Sequence, residues 1–295
     1  MSPQPSLLVI GRSGQLARAL VEAGGDHITA LGHQEADITN ADSVKAALEQ
    51  YRPALVINAA AYTAVDAAQT DKVAALALNT TGPATLAGLC AERDVPLIHI
   101  STDYVFDGTS ITPYQEDDVP SPLGVYGRTK LAGEQAVRQH NPRHIIARTA
   151  WVHSPIGKNF VKTMLHLARD RDDIRVVADQ FGNPTYAPHL AHALLHMAER
   201  ILNTAGFSDW GIYHLAGTGR TSWADFAEEV FAVSAALGGP NARVTPIPSA
   251  DYPTPAPRPA NSCLQCDKAH ERFGITMPDW RKGAKSCVQA LLVSG

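Results

Sequence analysis

The sequence predicts an α/β fold in which a doubly wound parallel sheet is joined to a smaller mixed lobe. Over the first 150 residues, short apolar runs alternate with stretches of helical spacing, which is the pattern of βαβ units. Two glycines stand directly after the first apolar run, where a strand would turn into a helix. Beyond Trp151 the alternation loosens, and six prolines between positions 246 and 259 exclude a helix there.

The elements follow in chain order. Apolar runs at 7–10, 28–31, 55–58, 96–101 and 145–148 predict five short strands of a parallel sheet. Helices are predicted between them at 15–23, 40–51, 72–92 and 129–140, with Asn40 as a cap and an interruption at Gly82 and Pro83. The second half predicts helices at 160–169, 188–202 and 223–237, a short strand at 212–215 and otherwise loops. We expect one domain at 1–150 and a lobe at 151–295, some segments of which return to the first domain.

Composition excludes several classes of protein. The 295 residues carry a formal net charge of only −4, which is not the basic face of a nucleic-acid-binding protein. The start lacks a basic leader, and its first apolar run is too short for a signal peptide. No stretch is expected to approach the length of a membrane span. Four cysteines are too few for a disulfide scaffold, so we expect a cytoplasmic protein without nucleic-acid or membrane partners.

Two patterns resemble metal sites and are interpreted as structural. Cys263 and Cys266 have the C-x-x-C spacing, but no second pair of ligands follows them. His189, His192 and His196 are spaced for one helix face but lack the glutamate of a zinc-protease helix. No metal site is predicted.

The glycine turn predicts a dinucleotide site. Gly11 and Gly14 permit close approach of a diphosphate to the backbone, and the following helix offers free N–H groups. Residues 32–34, at the end of the second strand, contain no acid for the ribose of NAD(H). Arg12 can meet the 2′-phosphate of NADP(H), although a solvated loop charge is an equally good interpretation. The sequence thus favours NADPH and leaves NADH open.

Tyr126 and Lys130 form the candidate catalytic pair. Their spacing puts a phenol and an ammonium on one helix face, which is also the pattern of an exposed helix pair. Ser101 and Thr102 end the preceding strand at the carboxyl edge of the sheet, where ligands bind. Reduction of a ketone needs a proton at the carbonyl oxygen. A neighbouring lysine and the positive charge of the nicotinamide are expected to lower the pKa of tyrosine from its usual value near 10. Either hydroxyl can hold the same oxygen.

These features resemble the extended short-chain dehydrogenase/reductase superfamily, which has a Rossmann-type fold. Within it the chain is most similar to the dTDP-4-dehydrorhamnose reductase family. The similar stretches run in order along nearly the whole chain: 11–16, 58–66, 101–106, 125–134, 148–152, 159–160, 179–185 and 258–262. The resemblance implies reduction of the C4 ketone of dTDP-4-dehydro-L-rhamnose by NADPH, with NADH as an alternative. It also allows a homodimer.

The resemblance implies a role for each matching position. Thr102, Tyr126 and Lys130 would be catalytic. The cofactor would be held by Gly11, Gly14, Gln15 and Leu16 at the diphosphate, Asp37 and Ile38 at the adenine, and Ala59, Ala60 and Tyr62 along the cleft. The substrate would contact Asp103, Tyr104 and Trp151 at the sugar, Asn159 in the pocket and Arg258 at the diphosphate.

A few positions depart from the family pattern. Ala17 replaces the third glycine of the turn, and Gly124 replaces an asparagine before the catalytic tyrosine. Some members bridge two subunits through magnesium, but the matching positions here are Ala19 and His192, so no such bridge is predicted.

Three other functions remain open. A dehydratase of this fold carries Thr-Asp-Glu at the end of the fourth strand, whereas this chain has tyrosine at 104, which disfavours dehydration. Another nucleotide-sugar epimerase or reductase fits the same fold. A non-catalytic subunit, like the regulatory subunit of methionine adenosyltransferase, would bind a partner without turnover.

Overall fold

A six-stranded sheet of parallel strands forms the centre of the molecule, in the order β10-β5-β4-β3-β1-β2. The computed structural model describes residues 6–293. The strands within that range are β1 (Leu7–Ile10), β2 (Ile28–Leu31), β3 (Leu55–Asn58), β4 (Leu97–Thr102), β5 (His144–Thr149), β6 (Val152–His153), β7 (Asp173–Val177), β8 (Phe181–Gly182), β9 (Thr185–Tyr186), β10 (Gly211–His214), β11 (Thr221–Ser222) and β12 (Arg243–Ile247).

Helices cover both faces of this sheet and build the second lobe. They are α1 (Gln15–Gly24), α2 (Ala41–Tyr51), α3 (Lys72–Leu76), α4 (Gly82–Ala91), α5 (Val125–His140), α6 (Phe160–Leu167), α7 (Ala187–Asn203), α8 (Trp223–Ala236), α9 (Asp267–Phe273) and α10 (Trp280–Val293). Alternate residues of β1 point to opposite faces: Leu7 and Val9 pack with α1 and α7, while Leu8 and Ile10 pack with α2 and α4. The predicted doubly wound α/β fold is confirmed.

The interruption predicted near Gly82 and Pro83 takes an unexpected form. A π-helical turn at Ala77–Thr81 joins α3 directly to α4, so the helical path bulges rather than breaks. A Cβ on Gly82 would lie 2.7 Å from the side chain of Ile38, which explains why glycine stands there. On length and composition alone, Lys72–Ala91 could cross a membrane, so the expectation that no stretch approaches such a span was wrong. In the structure this stretch contacts α2 and α5.

The second lobe contains more strand than the sequence predicts. Strands β7 and β12 pair in parallel, and α8 packs on them together with α6 and α10. Pro246 lies inside β12, so the proline-rich stretch begins as a strand and only then becomes irregular. The position is tolerated because β12 pairs with β7 alone and leaves its other edge free of ladder bonds within the described residues.

Two segments of the second half return to the first domain. Strand β10 pairs with β5 at one end of the sheet, and α7 packs along α1. The second half of the chain therefore completes both an edge and a face of the first.

Candidate active site

A cleft of about 550 Å³ lies at the carboxyl ends of the central strands. Its walls include Ser13 to Ala17 from the turn after β1, Ala59 after β3, and the ends of β4 and β5. Tyr126 and Lys130 of α5 and Trp151 after β5 complete it. The structure thus brings together the glycine turn and the Thr-Tyr-Lys set that the sequence singled out.

The turn after β1 is shaped to receive a diphosphate. Gly11 has a φ of +108°, and an added Cβ would lie 2.9 Å from the backbone nitrogen of Ala60, so only glycine fits. Gly14 precedes α1, and no side chain of the described residues caps this helix. Its first N–H groups therefore lack intrahelical and capping partners, which suits an anionic ligand. The residues present fit the diphosphate of a nicotinamide dinucleotide.

Gln15 links this turn to the second lobe. Its side-chain oxygen accepts hydrogen bonds from Ser154 Oγ at 2.8 Å and from Asn159 Nδ2 at 2.9 Å. Asn159 also donates to the carbonyl of Ser154 and caps α6 by accepting from the N–H of Lys162. The amide of Asn159 is thus used between the glycine turn and α6, rather than facing the substrate pocket where the sequence expected it.

An acid stands at the end of β2, contrary to the expectation from residues 32–34. Glu35 Oε1 lies 2.5 Å from Arg12 Nη1, and its other oxygen accepts the N–H of Gly32 at 3.0 Å. The backbone N–H groups of Gly11 and Arg12 both donate to the carbonyl of Leu31, the last residue of β2. Glu35 follows directly after residues 32–34, and the local turn folds its side chain back to the end of β2.

The remaining residues expected at the cofactor form a strip beside the turn. Hydrogen bonds from Thr39 lower the pKa of Asp37, and its neighbour Ile38 is buried. Ala59 lines the cleft, and Ala60 packs against Gly11. Tyr62 lies behind the cleft: its N–H donates to Asn79, its hydroxyl to Asp71, and its ring joins the apolar cluster that contains Tyr126.

Among the catalytic candidates, Thr102 and Lys130 are almost completely buried, whereas Tyr126 is partly exposed at the cleft. Lys130 is 1% exposed and donates from Nζ to the carbonyl of Ile100 at 2.6 Å. Burial lowers its pKa to about 8. Burial raises the pKa of Tyr126 to about 12, and a hydrogen bond with Thr102 only partly offsets this. The lowering that the sequence predicts requires the positive charge of a bound nicotinamide beside the lysine, and without that charge burial and the nearby Asp103 raise the pKa of Tyr126.

Ser101 and Thr102 both line the cleft, but the Ser101 hydroxyl is engaged within the protein. Ser101 Oγ donates to Glu134 at 2.5 Å, and Glu134 binds Arg148 through two hydrogen bonds of 2.9 and 2.8 Å. This ion pair is buried, with side-chain exposures of 2% and 1%. It anchors α5 to β4 and β5 directly behind the catalytic candidates.

A buried oxygen at the end of β5, Thr149 Oγ1, has no hydrogen-bond partner among residues 6–293. Asp103 accepts from Thr102 at 3.0 Å and also hydrogen-bonds with Ser262, and burial raises the pKa of Asp103 to about 6. Both residues line the cleft, and Thr149 lies beside Thr102 in the sheet. An unpaired buried polar atom is costly, so Thr149 Oγ1 indicates a ligand contact. Sequence reasoning missed Thr149, although its place at the end of β5 was the available signal.

A second cavity of about 730 Å³ adjoins the cleft at the side of the second lobe. Tyr104 and Arg258 line it, together with Trp223 and Phe160. The guanidinium of Arg258 lies 5.9 Å from the ring centre of Tyr104 and donates from Nη2 to Asp66 at 2.9 Å. Arg258, expected at the substrate diphosphate, is thus already held by a carboxylate.

Trp151 forms the partition between the two cavities. It lines the cleft, and its indole stacks on that of Trp223, which lines the second cavity, with 3.4 Å between ring centres. Its φ of +47° is rare for a bulky residue and marks local strain. A Cβ on Gly182 would lie 2.4 Å from this indole, so glycine makes room for the ring.

The patterns interpreted as structural show no metal-binding geometry. Residues 6–293 contain no group of three or more histidine, cysteine or acidic side chains able to hold a metal ion. Cys263 and Cys266 are free thiols, and His196 Nε2 lies 3.0 Å from the carbonyl of Phe273.

Comparison with known proteins extends this picture. The RmlD substrate binding domain family matches residues 5–293. A dTDP-4-dehydrorhamnose reductase of Sinorhizobium fredii is 45% identical over 291 residues, which are 98% of each chain. A dTDP-4-dehydrorhamnose reductase structure from Clostridium acetobutylicum is 34% identical, with a TM-score of 0.91 over 97% of this chain and 99% of that one. One from Bacillus anthracis in complex with NADP is 32% identical, with a TM-score of 0.87 over 99% of each.

Proposed function

Because the chain belongs to the RmlD substrate binding domain family, we propose that it reduces the C4 ketone of dTDP-4-dehydro-L-rhamnose to give dTDP-L-rhamnose. NADPH is the preferred hydride donor in this proposal, as the NADP complex of the Bacillus anthracis relative suggests. The observation that supports it best is a single cleft lined by the turn before the uncapped N-terminus of α1 and by Thr102, Tyr126 and Lys130.

The chemistry divides between cofactor and protein. A bound reduced nicotinamide supplies the hydride that reaches the ketone carbon. Tyr126 gives its proton to the ketone oxygen, which becomes the hydroxyl of the product. At neutral pH the phenol is protonated, since burial raises its pKa to about 12. Thr102, which hydrogen-bonds with Tyr126, holds the same oxygen in line with the phenol.

Lys130 contributes a positive charge to the wall of the cleft. With its pKa near 8, it remains largely protonated at neutral pH. Its bond to the carbonyl of Ile100 holds the ammonium at the end of β4, next to Thr102. This charge favours the phenolate that Tyr126 becomes after it has given up its proton.

The substrate sugar and diphosphate take separate contacts. Asp103 accepts a hydrogen bond from a sugar hydroxyl, and Thr149 Oγ1, which has no partner among residues 6–293, donates to another. Trp151 packs against the ring, and Tyr104 borders it. Arg258 binds the diphosphate, with Asp66 keeping the guanidinium in place until the substrate arrives.

We also propose a cytoplasmic location. All four cysteines are free thiols, as expected in a reducing compartment.

Turnover distinguishes the candidate functions. The purified protein is incubated with dTDP-4-dehydro-L-rhamnose and each reduced nicotinamide, and the absorbance of the reduced cofactor is followed. Stoichiometric loss of reduced cofactor supports the reductase. An epimerase would convert the sugar without net loss of cofactor, and a regulatory subunit would bind cofactor without turnover; either result contradicts the proposal.

Tyr126→Phe tests the proton donor. We expect cofactor affinity to be kept and turnover to fall by about 10²- to 10⁴-fold, the usual contribution of a general acid. Tyr51→Phe, at the end of α2 and away from the cleft, is the matched control. Wild-type turnover in the Tyr126 variant would remove this residue from the mechanism.

A further inference from the structure

His99 is a buried histidine of β4 that the proposed mechanism does not use. His99 and Asn58, the last residue of β3, are both 0% exposed. The imidazole lies between two polar side chains: Nδ1 is 3.1 Å from Asn58 Nδ2, and Nε2 is 3.4 Å from Lys130 Nζ. Burial and the neighbouring Lys130 hold the pKa of His99 well below its usual range, so the ring is neutral at pH 7. A neutral imidazole has one N–H and one acceptor nitrogen, and the surroundings decide which is which.

A backbone group determines which nitrogen carries the proton. Asn58 Oδ1 accepts the N–H of Ala60 at 3.2 Å. Because a backbone N–H can only donate, this contact turns the amide oxygen of Asn58 toward Ala60 and its NH2 group toward His99. Nδ1 of His99 must then accept a hydrogen bond, which leaves the single ring proton on Nε2. The hydrogen bonds therefore run in one direction, from Ala60 through Asn58 and His99 to Lys130.

The direction of this chain matters for the charge on Lys130. An ammonium has donors and no acceptor, so an N–H pointed at it is unfavourable, whereas the lone pair of a neutral amine accepts that N–H. The contact of Nζ with the carbonyl of Ile100 suits both forms, because both can donate. In the opposite direction His99 would accept from the ammonium, but the N–H of Ala60 would then face the NH2 group of Asn58.

We propose that His99 is a positioning residue that directs its Nε2–H at Lys130 Nζ and so makes the lysine release its proton more readily. The chain thereby sets the highest pH at which Lys130 still carries the charge that favours the phenolate of Tyr126. Ala60 also packs against Gly11, so the direction of the chain is fixed beside the glycine turn. In its effect on turnover, this inference rests on the proposed function.

Other titratable or charged groups surround Lys130, and the variants below leave all of them in place. Among residues 6–293 they are Tyr126, Asp103 and Lys158 in the wall of the cleft, and Glu134, which Arg148 binds. A difference in titration between wild type and a His99 variant therefore reports on the imidazole.

The tautomer of His99 can be measured in the wild-type protein without cofactor. Nitrogen-15 NMR of histidine-labelled protein distinguishes a ring protonated at Nε2 from one protonated at Nδ1, and the His99 signals are assigned by their absence in His99→Phe. We expect the Nε2–H form from about pH 6 to about pH 9. The Nδ1–H form would overturn the inference, whatever the variants show.

The titration of Lys130 is followed by carbon-13 NMR at the lysine Cε, with Lys130→Met for assignment. We expect a midpoint of about 8 in wild type. His99→Phe keeps a ring without its nitrogens, and the midpoint should rise to about 9, an about tenfold tighter hold on the proton. Asn58→Leu should act in the same direction, because the proton of His99 can then move to Nδ1. His144→Phe, a matched change at the start of β5, should keep the wild-type midpoint.

Turnover connects this titration to the proposed reaction. The alkaline decline of kcat/KM should move to higher pH in His99→Phe and Asn58→Leu, and should stay in place in His144→Phe. A Lys130 midpoint that is unchanged or lower in His99→Phe overturns the inference and leaves the reductase proposal standing. If wild type does not turn over the sugar nucleotide, the proposed function fails, and the tautomer and the lysine titration still decide the inference.

Discussion

Replacing Lys130 by methionine measures how much stability the candidate active site costs the fold. Burial lowers the pKa of this lysine from 10.5 to about 8, so the folded protein holds its charge less favourably than the unfolded chain does. At 1.36 kcal/mol for each pKa unit, the penalty at pH 7 is about 3 kcal/mol. Loss of the hydrogen bond to Ile100 removes about 1 kcal/mol of this gain. We expect Lys130→Met to be more stable than wild type by about 2 kcal/mol at pH 7.

The stability penalty of Lys130 should decrease as the pH rises. Because the pKa is lowered in the folded state, the penalty is complete below pH 8 and disappears above 10.5, where the lysine is neutral in both states. The penalty on wild type should fall from about 3 kcal/mol at pH 7 to about 1 kcal/mol at pH 9.5. The stability advantage of the variant should shrink over the same interval.

Urea unfolding followed by tryptophan fluorescence at the two pH values provides the assay. Lys45→Met, an exposed position on α2, is the matched control and should change the free energy of unfolding by less than about 0.5 kcal/mol. Cofactor-dependent turnover should be lost in Lys130→Met and kept in Lys45→Met. A variant less stable than wild type at pH 7, or an advantage that is equal at both pH values, would refute the reasoning.

Two further changes probe the surroundings of the site. Glu134→Gln leaves Arg148 buried without a counter-charge, so the free energy of unfolding measured in urea should fall by about 3–5 kcal/mol. The double variant Glu134→Leu, Arg148→Met should lower it much less. An equal decrease in the two proteins would contradict this account. Gly182→Ala must displace the Trp151 indole. We expect the KM for the substrate to rise about tenfold or more while the affinity for the cofactor is kept. An unchanged KM would show that Trp151 does not contact the sugar.

The sequence was most informative where local rules and the fold agree. Alternating apolar runs and helical spacing predicted the five consecutive strands of the first half and the positions of its helices. Strands β7 and β12 escaped because each has an exposed face and each pairs with a distant segment, so no single stretch of sequence shows the pair. Pro246 favoured an irregular segment over a strand, but proline is tolerated on a strand that pairs on one side only.

For the site, the sequence predicted residue types but not how their polar groups are engaged. Arg12, Asn159 and Arg258 were expected to face ligands, and each is already bound to a protein group: Glu35, Gln15 and Asp66 respectively. Such contacts depend on loops that meet only in three dimensions.

The pKa of Tyr126 in the protein without cofactor also depends on contacts that the sequence does not show. The spacing to Lys130 implies a neighbouring charge, but it does not reveal how far each group is removed from water, and desolvation is the largest influence on the pKa of both.

The place of β10 in the sheet has a consequence for how the molecule can be divided. A fragment ending after β5 would leave a row of unpaired backbone groups along that strand and would uncover the apolar side of α1 where α7 now lies. Such an open edge invites strands of other molecules to pair with it. Expression of the first half by itself should therefore yield aggregate rather than an autonomous nucleotide-binding unit. Any engineered form of the protein has to keep the two halves together.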